Sequence, residues 1–271
     1  MTDSQQDGMD LRRRWFLGGA AALASVPLAR SAARAAETAT ETAPGDLAQQ
    51  IIGLFAKLPG VVSLKIFAPP CNGGAALRVN LVPGQRLFVG SAIKTFVLCE
   101  ALRQADGEDV VEKITQRQLA LNASVWSVDS ATFNPPELSG LVSERTTLEA
   151  MIMHSDNTGT DMSLKMAGPD RVRAFIAAAG LSSTQIPDST RIFFGYLLGA
   201  PDYRTFTWAQ IVAAANDPIV NPPLNDTETL ASSANDMVSY YRRALQGGFF
   251  RSKETLNEFR RILSLGDAIW L

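Results

Sequence analysis

The order of the hydrophobic patterns predicts a fold of mixed helices and strands: one helical pattern, then two strand-like runs, then helical periodicities to the end. Val61–Phe67 and Ala75–Val82 are the strand-like runs. Pro69-Pro70-Cys71-Asn72-Gly73-Gly74 between them is rich in turn residues, so the pair reads as a β-hairpin. Ahead of it, Leu47–Leu58 has the spacing of an amphipathic helix with Ile51, Ile52, Leu54 and Phe55 on its core face. After it, helical patterns run over Ser91–Gln104, Thr147–His154, Asp161–Met166, Pro169–Ala179, Thr207–Ala215, Glu228–Leu245 and Lys253–Leu263. Pro169 stands in a permitted first turn and Gly180 closes that helix. The residue count suits one domain of two lobes.

The start of the chain has a different character. Arg12-Arg13-Arg14-Trp15-Phe16-Leu17 precedes the apolar, Gly- and Ala-rich run Gly18–Leu28, and small residues follow through Ala33-Arg34-Ala35-Ala36. This is the layout of a twin-arginine export signal over residues 1–35, with cleavage expected after Ala35. The competing reading is an uncleaved anchor or an Arg-rich amphipathic helix. The apolar run falls short of the roughly 20 residues that span a bilayer. Residues 36–46 are a Thr-, Ala-, Glu- and Pro-rich leader without apolar periodicity, expected to be flexible. Residues 47–271 form the expected domain, exported to the periplasm or beyond the cell, with no stable membrane insertion after cleavage.

Composition narrows the chemistry. The chain has one histidine, His154, and two cysteines, Cys71 and Cys99. A Ser-His-Asp triad on an elbow serine is excluded because no G-x-S-x-G occurs. A zinc site of His and Cys ligands has too few candidates, and neither G-x-G-x-x-G nor a P-loop is present. No cofactor and no metal are therefore expected. Residues 36–271 carry 20 basic and 24 acidic groups, which leaves no nucleic-acid footprint. His154 is read as a packing residue. Cys99 lies among Phe96, Val97, Leu98 and Leu102, where a buried free thiol is the commoner outcome than a disulfide with Cys71.

Ser91-Ala92-Ile93-Lys94 opens the predicted Ser91 helix, and Ser155-Asp156-Asn157 follows. Residues three apart are helix neighbours, so this spacing puts a hydroxyl and an amine on one face. A hydroxyl becomes a nucleophile once a nearby base takes its proton, and a lysine whose charge is disfavoured by burial can be that base. A serine and an asparagine from a second element can then shuttle the proton and hold a substrate amide. S-x-x-K alone is common; followed by S-D-N it is specific. The bland alternative is a helix cap with solvated polar residues around it.

With these motifs the chain resembles the serine β-lactamases and penicillin-binding proteins, closest to the class A β-lactamase branch. Besides the two motifs, the carrying segments are TFVLCEAL, TTLEAMIMHSDNTGTDMSLKMAGPDRVRAFIAAAGL and, more weakly, TETLASSANDMVSYYRRALQGG. The resemblance covers residues 47 to 271. It implies an α/β (α+β) fold of the β-lactamase/transpeptidase type: an antiparallel sheet flanked by helices, plus an all-helical lobe. It further implies that Ser91 is the acylated nucleophile, Lys94 its base partner, Ser155 the proton carrier to the leaving nitrogen, and Asn157 the contact to the substrate's amide carbonyl. The implied partner is a small β-lactam or cyclic amide, or a cell-wall peptide, met by a monomer.

Two departures stand out. The family's third motif, Lys followed by Thr or Ser and then Gly, is missing, since only Lys165-Met166 and Lys253-Glu254 follow Ser155. The expectation is a chain incomplete at its C-terminus, without the last sheet strands, poorly soluble and slow to acylate. The family's deacylating glutamate is missing too, because no Glu lies between Glu149 and Glu228. Ile186–Tyr196 occupies its place, and Asp188 and Asp202 are the nearby acids. The leading expectation is a serine hydrolase acting on β-lactams. A D,D-peptidase or esterase of the same superfamily is the alternative, and a non-catalytic or non-folding product is the alternative of another class.

Overall fold

The computed structural model describes residues 45–70 and 75–265. Residues 1–35, read above as an export signal, most of the expected leader, Cys71 and residues 266–271 lie outside them. The described residues divide into two units by their internal contacts, one from within 45–87 with 233–238, and one from 88–232 with 239–265.

In the first unit, helix α1 (Gly45–Phe55) precedes strands β1 (Leu64–Ala68) and β2 (Leu77–Leu81). The strands pair antiparallel with Leu64 opposite Leu81, Ile66 opposite Val79 and Ala68 opposite Leu77, the expected hairpin. Val79 and Leu81 are buried, as their period-2 spacing on one face requires. Ser63 Oγ donates to the Val82 carbonyl at 3.0 Å, and Lys65 Nζ donates to Asn235 Oδ1 at 2.7 Å. The core face expected of α1 needs correction. Ala48 is the fully buried residue of that helix, while Leu54 is 65% exposed. Ile51, Ile52 and Phe55 of the expected stripe are half-buried, and Leu54 lies at its open edge.

The second unit is mainly helical. A 3₁₀ turn (Gly90–Ile93) leads into α2 (Lys94–Ala105), followed by α3 (Val110–Gln116), β4 (Gln118–Leu121), β5 (Gly140–Ser143), α4 (Glu144–Met153), α5 (Asn157–Ala167), α6 (Pro169–Ala178), α7 (Thr190–Leu197) and α8 (Trp208–Ala213). Its later part holds β6 (Ala231–Ser232) and α10 (Lys253–Leu263). Between these two in the chain, α9 covers Ala234–Leu245, its residues up to Val238 counted with the first unit. β4 and β5 pair antiparallel with Leu119 opposite Val142. β3 (Leu87–Phe88) precedes the 3₁₀ turn, and Val89 N–H donates to the Leu230 carbonyl at 2.8 Å.

α2 is the axis of this unit. Every residue from Lys94 to Leu102 is buried, so the helix is covered all round by α3, α4, α5, α6 and α10. Phe96, Val97, Leu98 and Leu102 are among them, and each such side chain contributes about 1.5–3 kcal/mol on burial. Cys99 is a free buried thiol among them, and the same burial pushes it up to about 12.

Local chemistry sets most helix ends. Ser143, Asp156, Ser189, Thr207 and Ser252 cap α4, α5, α7, α8 and α10 with side-chain oxygens. Thr207 and Gln210 form a reciprocal capping box. Gly180, at φ +73°, follows α6 as the Pro–Gly asymmetry predicts.

Three expectations differ from the structure here. The pattern over Glu228–Leu245 is helical only from Ala234, because residues 231–232 are extended in β6. Thr190–Leu197 is a helix that its aromatic-rich sequence did not announce. His154 is exposed at the end of α4 rather than packed, its N–H capping that helix on the Ala150 carbonyl.

Candidate active site

Ser91, Lys94, Ser155 and Asn157 all lie in the second unit and meet at one place. Ser91 sits in the 3₁₀ turn before α2, so its hydroxyl is exposed near the positive end of that helix. Lys94 is the first residue of α2 and is buried. Ser155 is exposed in the short break between α4 and α5, with φ +55°. A left-handed serine costs of order 1 kcal/mol and persists where its surroundings over-determine it.

The contacts form a chain. Ser155 Oγ donates to Ser91 Oγ at 2.8 Å. Lys94 Nζ donates to Ser155 Oγ at 2.9 Å, to Asn157 Oδ1 at 2.8 Å, and to the Ser155 carbonyl. Among the described residues, no direct hydrogen bond joins Lys94 Nζ to Ser91 Oγ, so the amine reaches that hydroxyl through Ser155. Asn157 Nδ2 donates to the Val128 carbonyl at 3.0 Å, which fixes its amide with the oxygen toward Lys94.

Burial pulls the Lys94 ammonium down to about 8, while Asp156, Asp161 and Asp129 act against that shift. An amine held there is partly neutral near neutral pH and can accept a proton.

Asp156, the middle residue of S-D-N, locks the loop. Its Oδ1 accepts from Gly159 N–H at 2.8 Å, and its Oδ2 accepts from Thr132 N–H at 2.9 Å and Phe133 N–H at 3.1 Å. Thr158 ties the same loop to Ser127 and Ser130. Gly159 allows the approach: a Cβ there would stand 3.1 Å from the Phe133 ring and 3.3 Å from the Thr147 carbonyl.

Asp161 escaped the sequence reading. It is buried one turn beyond Asn157 on α5, with Oδ1 accepting from Thr190 N–H at 2.6 Å and Oδ2 from Arg191 N–H at 3.2 Å. It thus holds the first turn of α7, the segment where the deacylating glutamate was sought. Burial raises its carboxyl to about 6 even though those N–H groups favour the anion. The signal was its i, i+4 spacing from Asn157, on a stretch of small and polar residues that is buried from Asn157 to Leu164. The Thr190 hydroxyl pairs with Ser127 Oγ at 2.8 Å.

The acids considered from sequence are placed otherwise. Asp188 Oδ1 accepts from Arg173 at 2.7 Å, and Asp202 is exposed at the start of the 3₁₀ turn Tyr203–Thr205. No group of three or more His, Cys, Asp or Glu gathers as metal ligands among the described residues.

A family model described as "Beta-lactamase enzyme family" matches residues 46–266. The chain belongs to the beta-lactamase enzyme family. As a beta-lactamase family member it is a serine hydrolase of the β-lactamase and penicillin-binding protein superfamily. Solved structures share its fold. It is similar to PBP-A at 19% identity and TM-score 0.57, over 84% of this chain and 72% of that one. It is similar to a PBP-A variant solved as an acyl-enzyme complex with penicillin G, at 18% identity and TM-score 0.56, over 83% and 71%. A class A beta-lactamase from Mycobacterium abscessus aligns at 15% identity and TM-score 0.57, over 82% and 72%. The comparison with curated proteins gives no match. No helix among the described residues is long and apolar enough to cross a membrane.

Proposed function

We propose that this β-lactamase-family hydrolase acts on β-lactams or related cyclic amides through an acyl-serine at Ser91. The observation that carries the reading is the Lys94–Ser155–Ser91 hydrogen-bond chain with its buried, pKa-lowered amine. With Lys94 neutral, its lone pair takes the Ser155 proton as Ser155 Oγ takes the Ser91 proton. Ser91 Oγ then attacks the substrate carbonyl, and the C–N bond breaks. The proton returns through Ser155 to the leaving nitrogen, so the net transfer is from Ser91 to the amine product. Asn157 would hold the substrate's amide carbonyl through its Nδ2, exchanging that contact for the one to Val128.

A second reading is favoured by the acids of the α7 segment. Asp161 has both oxygens on backbone N–H groups and Asp188 is paired with Arg173, which leaves an acyl-serine without an evident base for its hydrolysis. Slow release of a penicilloyl group is the behaviour of a penicillin-binding D,D-peptidase. A PBP-A variant similar to this chain was captured as an acyl-enzyme with penicillin G.

Residues 1–35 would direct twin-arginine export, residues 36–46 would serve as leader, and residues 47–271 would work as a monomeric domain in the periplasm or outside the cell. Intact-protein mass spectrometry after penicillin G tests the chemistry. One covalent adduct is expected, absent from Ser91→Ala; an adduct that survives that change would move the nucleophile elsewhere. N-terminal sequencing of the exported protein tests cleavage after Ala35.

A further inference from the structure

A cavity of about 500 Å³ in the second unit involves none of Ser91, Lys94, Ser155 or Asn157. Its walls include Ser124, Arg191, Arg204, Phe206, Thr207 and Trp208. That volume falls in the roughly 300–1,000 Å³ range of small-molecule sites. Among the described residues, the only charges lining it are the two arginines.

Arg191 is a half-buried cation with its guanidinium end set against backbone. It donates to the carbonyls of Ala123 at 2.7 Å, Ser124 at 2.8 Å and Trp126 at 3.2 Å. Among the described residues no carboxylate lies within salt-bridge reach of it, and the acid that acts on it from a distance, Asp161, is committed to two backbone N–H groups. Its Nε is buried without an acceptor, as is the indole Nε1 of Trp126. Trp126, which does not line the cavity, meets Trp208 edge-on at 6.0 Å, and both unmatched donors are buried away from the open volume. Arg204 is 67% exposed, and its Glu228 partner is at 3.9 Å, the limit of an ion pair. Two guanidinium groups, one without a carboxylate in reach among the described residues and one held only loosely, thus border an open volume, and such a single-sign lining draws anions in preference to cations.

We propose that this cavity binds a small aromatic carboxylate, its carboxylate on Arg204 and in the field of Arg191, its ring against Phe206 and Trp208. A guanidinium fork fits a carboxylate in two parallel hydrogen bonds, and aromatic walls favour a ring in offset or edge contact. A monoanion suits the site better than a phosphate, because most N–H groups of Arg191 are already engaged. Nothing in this proposal requires acylation of Ser91.

The test is ¹⁹F NMR titration of the full chain with 4-(trifluoromethyl)benzoate. Saturable binding of one equivalent is expected, weakened about tenfold in Arg204→Gln, a loss of about 1.4 kcal/mol. Arg204→Lys should fall between, since it keeps the charge and loses the fork. The neutral 4-(trifluoromethyl)benzamide should bind at least about tenfold more weakly. Ser91→Ala should leave benzoate binding unchanged. Circular dichroism checks that each variant is folded; Arg204 is exposed enough that both of its variants are expected to pass. The proposal fails if no saturable binding occurs, if the amide binds equally well, if Arg204→Gln has no effect, or if Ser91→Ala removes binding.

Discussion

Ser155 Oγ lies 2.8 Å from Ser91 Oγ although the two residues are 64 apart in the chain. Ser155 is brought there from a left-handed conformation at the break between α4 and α5, and its other neighbour is Lys94 Nζ. Ser155 thus stands between the Lys94 amine and the Ser91 hydroxyl, the place of a proton carrier in the proposed mechanism.

Loss of any link should silence the site. Ser91→Ala and Lys94→Ala should each abolish penicillin labelling, and the double variant should be scarcely worse, because members of one machine lose activity non-additively. Ser155→Ala should slow acylation by about 10²–10⁴. Labelling rates followed by mass spectrometry give the answer; a Ser155→Ala rate near that of the parent would mean that Lys94 reaches Ser91 without it.

Acylation should rise with pH through about 8, the value to which burial brings Lys94. The neutral amine is the competent base, so the rate approaches a plateau above that value. Stability moves in the same direction. The folded pKa lies below the usual lysine value of 10.5, so the unfolded chain binds more protons between about 8 and 10.5 and stability from this group increases across that window. Stopped-flow labelling at several pH values would show the profile; a flat rate from pH 6 to 9 would count against the amine as base.

Glu144 is fully buried with Oε2 on Arg117 at 3.0 Å and Oε1 without a partner. Burial raises it to about 7, with Arg117 acting against the shift. The folded chain then holds a proton here that the unfolded chain has lost between about 4.5 and 7, so this group's contribution to stability falls as pH rises through that window. Glu144→Gln should therefore stabilise the fold at pH 8 by on the order of 1–3 kcal/mol and matter little at pH 4. Denaturant melts at both pH values measure it, and destabilisation at pH 8 would show that the ion pair outweighs burial.

Turnover should show a burst of about one equivalent followed by a slow steady state, since the α7 segment offers no unengaged carboxylate at its first turn. Asp188→Asn should leave release unchanged because that side chain serves Arg173. Slower release in Asp188→Asn would make it the hydrolytic base after all.

Gly195 lies within α7, where alanine would normally gain about 1 kcal/mol of helix propensity. A Cβ there would meet the buried Phe206 ring at 2.8 Å. Overpacking of this kind costs about 1–3 kcal/mol, so Gly195→Ala should lower the Tm despite its better propensity. A raised Tm would mean that Phe206 moves aside freely.

Local chemistry alone determined a good part of this protein. The one-turn spacing of Ser91 and Lys94, the S-D-N motif, the hairpin, and the bounds of α10, capped by Ser252, depend on residues within a few positions of each other. Periodicity reports which residues share a face, not what covers that face. Leu54 has the spacing of a core residue yet is exposed, His154 looked like packing and is in solvent, and the polar stretch from Asn157 to Leu164 is buried. Only the tertiary structure decided that Lys94 is buried deeply enough to be drawn down to about 8, and that its hydrogen-bond path to Ser91 runs by way of Ser155. It also decided that Asp161 holds α7 where a glutamate was expected. Desolvation and hydrogen bonding are set by groups distant in sequence, so a chain whose S-x-x-K spacing is local leaves the surroundings of that serine and lysine to the fold.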